Sequence, residues 1–245
     1  MIEADGLAKR FGEVEAVRQV SFTAPDGAIT GLLGPNGAGK TTTLRMISTL
    51  VMPSHGAARV DGIDSRTDPL GVRARVGMLT DARGLYQRLT ARENIAYYGA
   101  LRGMERARVD AAIDRLADLL DMKEILGRRT EGFSQGERMK VAIARSIVHD
   151  PPNVVLDEPT NGLDVMTTRK LREVIRRLKE EGKCVLFSSH VMQEVSALCD
   201  EIVIVARGAV VARGSAQDLL DQSGRSNLED AFVHLSGEAG VEAAA

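Results

Sequence analysis

Apolar residues recur along the chain in two rhythms, and each predicts its own kind of element. Runs such as Ile29-Thr30-Gly31-Leu32-Leu33, Val154-Val155-Leu156 and Val185-Leu186-Phe187 are nearly continuous in hydrophobicity, the pattern of strands buried on both faces. Other stretches repeat every three or four positions: Leu44, Ile47 and Leu50 within residues 42–50, and Leu171, Val174, Ile175 and Leu178 within residues 165–180. That spacing predicts amphipathic helices. Further strands are expected at 2–8, 18–24, 59–60, 75–79, 183–188, 201–205 and 209–212, and further helices at 191–198, 216–222 and 228–236. Between about 85 and 150 the strand rhythm stops. There the capping box Thr90-Ala91-Arg92-Glu93 opens a helix through Leu101. A second helix carries Val109, Ile113, Leu116 and Leu120 on one face and Asp110, Asp114 and Asp118 on the other, and a third spans 134–148. The pattern is α/β, interrupted by a helical block.

Between the strand at 29–33 and the helix after it stand Gly34-Pro35-Asn36-Gly37-Ala38-Gly39-Lys40-Thr41, the phosphate-binding pattern G-x-x-x-x-G-K-[ST]. A merely glycine-rich turn would not need all eight positions in this strand–loop–helix context. Glycines let successive N–H groups converge on phosphate oxygens, Lys40 supplies a point charge, and Thr41 offers a hydroxyl to Mg²⁺. The positive end of the following helix faces the same anion.

Three other places could serve that chemistry. Val154-Val155-Leu156-Asp157-Glu158 puts two acids at a strand exit. Asp157 is suited to hold Mg²⁺, and Glu158 to orient and deprotonate an attacking water, although two acids there also suit a solvated strand end. His190 follows another strand and reads either as a surface residue or as a γ-phosphate contact. Phe133-Ser134-Gln135-Gly136-Glu137 reads as a capping box, Ser134 to Glu137, and also as a helix N-terminus able to meet an anion. These two readings are compatible.

Composition narrows the classes. At 245 residues, with 44% hydrophobic and 27% charged residues, the chain suits a soluble globular protein with a sizeable core. Its net charge of −2, its 3% aromatic content and the absence of Trp give no footprint for nucleic acid. Arg128-Arg129 and Arg176-Arg177 are short and read as solvated faces. Cys184 and Cys199 have no metal-ligand spacing, and Cys184 beside an apolar run reads as a buried thiol. The start Met1-Ile2-Glu3-Ala4-Asp5 lacks a secretory pattern, and no run reaches the ~18 apolar residues of a membrane span. A soluble, cytoplasmic chain is expected.

With these residues in view, the chain resembles the ATP-binding subunits of ABC transporters over residues 2–236. The resemblance rests on Gly34 to Thr41 with the following Thr42 (Walker A), Phe133 to Glu137 (signature), Asp157 and Glu158 (Walker B and the adjacent catalytic Glu), Asn161-Gly162-Leu163-Asp164 (D-loop) and His190 (switch). Phe11 matches the aromatic that stacks on adenine. The resemblance implies an α/β phosphate-loop NTPase fold with an N-terminal antiparallel β subdomain and an inserted helical subdomain at about 85–150. It implies one ATP-binding domain over 1–236, with 237–245 as a disordered tail.

It further implies two chains, either two copies or this chain with a homologous ATPase subunit, packed head to tail. Each ATP, with Mg²⁺ on Thr41 and Asp157, then lies between the phosphate loop of one chain and Ser134, Gln135, Gly136 and Glu137 of the other. Glu158 and His190 carry hydrolysis, Asp164 belongs to the D-loop, and an integral-membrane permease holds the chain at the inner face of the cell membrane. Thr90-Ala91-Arg92-Glu93-Asn94 and Leu228-Glu229-Asp230-Ala231-Phe232 resemble exporters with an ABC-2 type membrane partner, and Gly77-Met78-Leu79-Thr80-Asp81 the sodium-efflux, NatA-like subgroup. Drug, lipid or polysaccharide export, or a soluble ABC ATPase outside transport, are the alternatives.

Three positions depart from the family pattern. Asp81 stands where Gln is usual, as a further candidate for the metal, but an ionised carboxylate donates no hydrogen bond. Gln135 replaces a glycine. Glu137 replaces Gln, and a carboxylate there is electrostatically unhelpful near a nucleotide unless Arg138 or Lys140 offsets it. Asp81-Ala82-Arg83-Gly84 also spells the D-x-x-G of a GTPase switch, but no N-K-x-D guanine motif accompanies it.

Overall fold

The computed structural model describes residues 1–80 and 84–237. Asp81 and residues 238–245 of the expected tail lie outside them. The chain opens with a hairpin, β1 (Ile2–Phe11) and β2 (Val14–Ala24), joined through Gly12 and Glu13. Both strands run longer than the hydrophobic pattern predicts. Their outer turns carry exposed polar residues, and register shifts between Ala4 and Arg10 break the alternation that would have marked them. β3 (Ile29–Leu33) feeds α1 (Lys40–Ile47), which begins at Lys40 itself. β4 (His55–Val60) and β5 (Ile63–Asp64) follow, then α2 (Pro69–Arg75) and β6 (Val76–Leu79). Short α2 has no long apolar stripe. Its only signals are Asp68, whose carboxylate caps the Gly71 N–H, and Pro69 in the first turn.

The helical block contains α3 (Ala91–Leu101), α4 (Arg106–Leu119) and α5 (Gln135–Ile147). α3 starts on the expected Thr90–Glu93 capping box. Then come β7 (Asn153–Asp157), α6 (Val165–Glu180), β8 (Cys184–Ser189), α7 (Met192–Leu198), β9 (Glu201–Ala206), β10 (Ala209–Gly214), α8 (Ala216–Ser223) and α9 (Leu228–Ser236).

The strands order as β5-β4-β1-β2-β10-β9-β3-β8-β7-β6. From β9 to β6 the pairing is parallel, whereas β5, β4, β1 and β2 pair antiparallel. The two halves meet through a single parallel pair, Ala209 with Gln19. Alternate residues of the central strands feed opposite cores. Ile29, Leu33, Val154, Leu156, Val185 and Phe187 join the helical block, α6 and α7 on one face. Leu32, Val155 and Leu186 join α1 and the antiparallel strands on the other. Two buried faces explain why these strands read as unbroken apolar runs. Cys184 is buried, donates to the Ala24 carbonyl at 3.3 Å, and has its thiol pushed up to about 12 by burial.

Phe187 is a fully buried large side chain at the centre of the parallel sheet. Phe187→Ala is expected to destabilise the protein by about 3–5 kcal/mol, read as a lowered denaturant midpoint. A loss under ~1 kcal/mol would contradict this packing.

Candidate functional site

The carboxyl ends of β3, β7 and β8 lie side by side, because β8 pairs in parallel with both of its neighbours. The loop after β3 enters α1 through Gly39, whose φ of +103° favours a residue without a Cβ. No side chain caps α1. Among the described residues the N–H groups of Lys40 and Thr41 find no acceptor, so they remain available to an anion. Lys40 is only 5% exposed, and its ammonium donates to the carbonyls of Gly34 (2.6 Å) and Pro35 (3.2 Å). Asn36 and Gly37 form the exposed rim, Ala38 is buried, and Thr42 is half-buried on the first turn of α1.

Asp157 ends β7 with only 8% exposure. Its Oδ1 accepts from Ser188 Oγ at 2.7 Å and from Thr41 Oγ1 at 3.1 Å. Glu158 follows in the left-handed region, φ +48°, with its N–H donating to the same Ser188 hydroxyl at 3.0 Å. The Glu158 carboxylate lies between two groups: Oε1 is 3.3 Å from Lys40 Nζ, and Oε2 is 2.6 Å from His190 Nδ1. His190 therefore faces Glu158. Below it, buried Glu194 accepts from Thr160 (2.6 Å) and Ser189 (3.1 Å), pinning the loops after β7 and β8 together. Sequence reasoning passed over Ser188, Thr160 and Glu194. For Ser188 a signal existed, a buried hydroxyl position at a strand end beside a histidine.

A cleft of about 680 Å³ opens beside this cluster, lined among others by Thr41, Asp157, Glu158, Gln135, Arg138 and Asn161. Gln135 starts α5, and Ser134 caps it. Ser134 Oγ accepts from the Glu137 N–H, and Glu137 Oε2 accepts from the Ser134 N–H at 2.8 Å. Gly136, next in α5, packs on Thr167 at the start of α6. The Ser134 N–H, aided by Arg128, holds the Glu137 carboxyl below the usual range against its desolvation. Of the cations nearby, the one paired with Glu137 is Arg128, at 2.7 Å, and not either candidate on α5, Arg138 or Lys140. The reason is directional: Glu137 folds back over its own N-cap toward the segment before α5. Arg138 turns to the cleft, and Lys140 donates to the Asp121 carbonyl at 2.6 Å. Among the described residues, no hydrogen bond or ion pair joins 134–137 to the phosphate loop.

Asp164 caps α6 through the Thr167 N–H (2.9 Å) and hydroxyl (2.6 Å). Phe11, at the end of β1, is 48% exposed, with Lys9 Nζ 5.0 Å from its ring centre.

A family model described as ABC transporter matches residues 17–161, more than half of the chain. The chain belongs to the ABC transporter family. It is 44% identical, over 95% of its own length and 97% of the relative's, to the ABC transporter ATP-binding protein NatA of Bacillus subtilis. A solved structure described as the ATP-binding subunit of an ABC transporter superposes with a TM-score of 0.87 at 28% identity, covering 96% of this chain and 99% of that one. A dimeric bacterial ABC transporter cassette superposes with a TM-score of 0.79 at 25% identity, covering 88% and 98%. The mixed α/β fold is thus that of an ABC ATPase, and the chain is an ATP-binding subunit of the ABC transporter type.

In this ABC subunit the Glu137 interactions are a measurable feature of the start of α5. A carboxyl depressed by folding stabilises above its unfolded value, near 4.5, and that gain is lost as pH falls through the folded value. Wild type is therefore expected to exceed Glu137→Gln in stability at pH 7, with the gap closing below pH ~4.5. Thermal melts from pH 7 to 3.5 test it, and a gap independent of pH would contradict the assignment.

Proposed function

We propose that this chain hydrolyses ATP as one half of a head-to-tail pair, a homodimer or a pairing with a homologous ATPase subunit, that drives export through a separate membrane permease. The observation that carries the reading is Glu158 held between Lys40 and His190, beside Asp157 on Thr41. Lys40 and His190 each engage one of the two Glu158 carboxylate oxygens. The terminal phosphates of ATP compete for that ammonium, so Lys40 turns from Glu158 to the γ-phosphate as nucleotide enters. Glu158, left with one oxygen toward the cleft, then orients a water and takes its proton while the water oxygen bonds to the γ-phosphorus and the bond to the ADP oxygen breaks. His190 adds a hydrogen bond to the γ-phosphate, and the uncapped start of α1 faces the same charge.

Thr41 and Asp157 fit Mg²⁺. They are two hard oxygen donors 3.1 Å apart, and among the described residues no cluster of His, Cys, Asp and Glu competes as a metal site. So sparse a protein set suits an ion that keeps phosphate oxygens and water as its other ligands. Mg²⁺ there would neutralise charge on the phosphates. Phe11 would stack on the adenine. The second chain would supply Ser134 and Gly136 to the γ-phosphate, a role supported by their separation from the phosphate loop of their own chain. The superposition on a dimeric cassette supports the same arrangement.

Among the described residues no helix is long and apolar enough to cross a membrane, so attachment at the inner membrane face would come through the permease. A second groove, of about 370 Å³, suits that contact. It reaches Thr80, just before Asp81, and includes exposed Leu50 with Arg73 and Arg102. The cargo we assign is sodium, supported by the resemblance of 77–81 to the sodium-efflux subgroup and by the identity to NatA.

Glu158→Gln is expected to bind ATP and dimerise but to hydrolyse at least ~100-fold more slowly. Hydrolysis at the wild-type rate would overturn the assigned role. For the cargo, vesicles containing the chain and its permease should move sodium on addition of ATP. ATP-driven movement of a drug without sodium would replace that assignment.

A further inference from the structure

The start of α5 interlocks with the loop that carries Glu158. Gln135 Nε2 donates to the Asn161 carbonyl at 2.9 Å, and the Asn161 N–H donates to the Glu158 carbonyl at 3.2 Å. Gly162, at φ +73°, lies so close that a Cβ there would come within 2.4 Å of Gln135 Nε2. One residue on from Gln135, a Cβ on Gly136 would meet Thr167 at 3.0 Å, and Thr167 is held by Asp164. Beneath these contacts Met139, Leu171 and partly buried Leu163 share one apolar cluster. The tip of α5 and residues 158–164 are thus joined at several points.

We infer that Gln135 is a positioning residue for hydrolysis: its amide ties the signature end of α5 to the loop that sets Glu158 in the same chain. This rests on the dimeric reading above. When the start of α5 engages the ATP held by the second chain, its displacement passes through Asn161 to the backbone of Glu158. Each chain thereby aligns its own base only when it has engaged its partner's nucleotide, and the two sites of a pair become coupled. A glycine in place of Gln135 would leave the Asn161 carbonyl without this donor.

The test uses the full chain and Gln135→Ala, a truncation at an exposed position. Steady-state hydrolysis is followed against ATP concentration, and ATP-dependent dimerisation is followed in a Glu158→Gln background. Loss of one hydrogen bond of ordinary strength predicts a kcat lowered about three- to tenfold and a Hill coefficient moved toward one. KM and the ATP needed for half-maximal dimerisation should move less than ~2-fold. Gly162→Ala supplies a second variant, since its Cβ displaces the same amide. In the double variant that contact is already gone, so the combined loss in kcat should fall short of the product of the single losses. Multiplicative losses would overturn the proposal. So would an unchanged kcat with a shifted dimerisation curve, which would put Gln135 directly on the partner's nucleotide. A wild-type chain that neither dimerises nor hydrolyses with ATP would sink the dimeric reading, and this inference with it.

Discussion

The parallel register of β3, β8 and β7 is the constraint on which the rest depends. Pairing Leu33 with Ser189 and Asp157 with Ser188 brings three strand ends to one edge. The loop after β3, the two acids after β7 and His190 after β8 become neighbours without direct help from the helices. An open parallel sheet places binding chemistry at such an edge because every strand there hands over to a loop of freely chosen composition. Ser188 shows how tightly the arrangement is set. One hydroxyl donates to Asp157 and accepts from the Glu158 N–H, so a slip of one residue would break both contacts and turn every core side chain to the wrong face.

Charge is the second constraint. Lys40 is almost wholly buried, and a buried ammonium without partners is strongly unfavourable. Two loop carbonyls and Glu158 satisfy it. The same satisfaction holds Glu158 in place at a left-handed backbone position that a side chain rarely adopts. The site is therefore a set of mutually neutralising groups. On the proposed reading, nucleotide would change its state by offering Lys40 a better partner than Glu158, so that the arrival of the terminal phosphates and the release of the base would be one event.

Much of this was legible in the sequence, for physical reasons that differ by element. The central strands were plain because both faces are buried, α3 because its capping box is written in four consecutive residues, and α6 because its apolar stripe is steady. The phosphate loop and the acids after β7 were legible because their chemistry needs particular residues at fixed spacing. α2 was missed because seven residues with one buried side chain carry no periodic signal. The extent of the first hairpin was missed because its bulges interrupt alternation. Contacts between distant segments, such as Arg128 with Glu137 and Thr160 with Glu194, have no local pattern at all. Reasoning along α5 offered Arg138 or Lys140 as candidate partners of Glu137, whereas the fold brings in an arginine from outside that helix.

That partner bears on how a pair would assemble. The site gathers Asp157 and Glu158 against a single buried lysine, and ATP adds further negative charge. Compensation within one chain comes from the uncapped end of α1 and, on the proposed reading, would come also from a metal held by Thr41 and Asp157. On the head-to-tail reading, the rest comes from the start of the partner's α5, where an unpaired carboxylate at Glu137 would repel phosphate. Folding removes that obstacle locally. The Ser134 N–H and Arg128 hold the Glu137 charge back over the N-cap, leaving Ser134 exposed and Gly136 half-buried at the leading end of the helix. The residue replacing the usual Gln can thus carry a charge without defeating the site, provided Arg128 travels with it. The departure at 137 and the arginine at 128 are parts of one electrostatic solution.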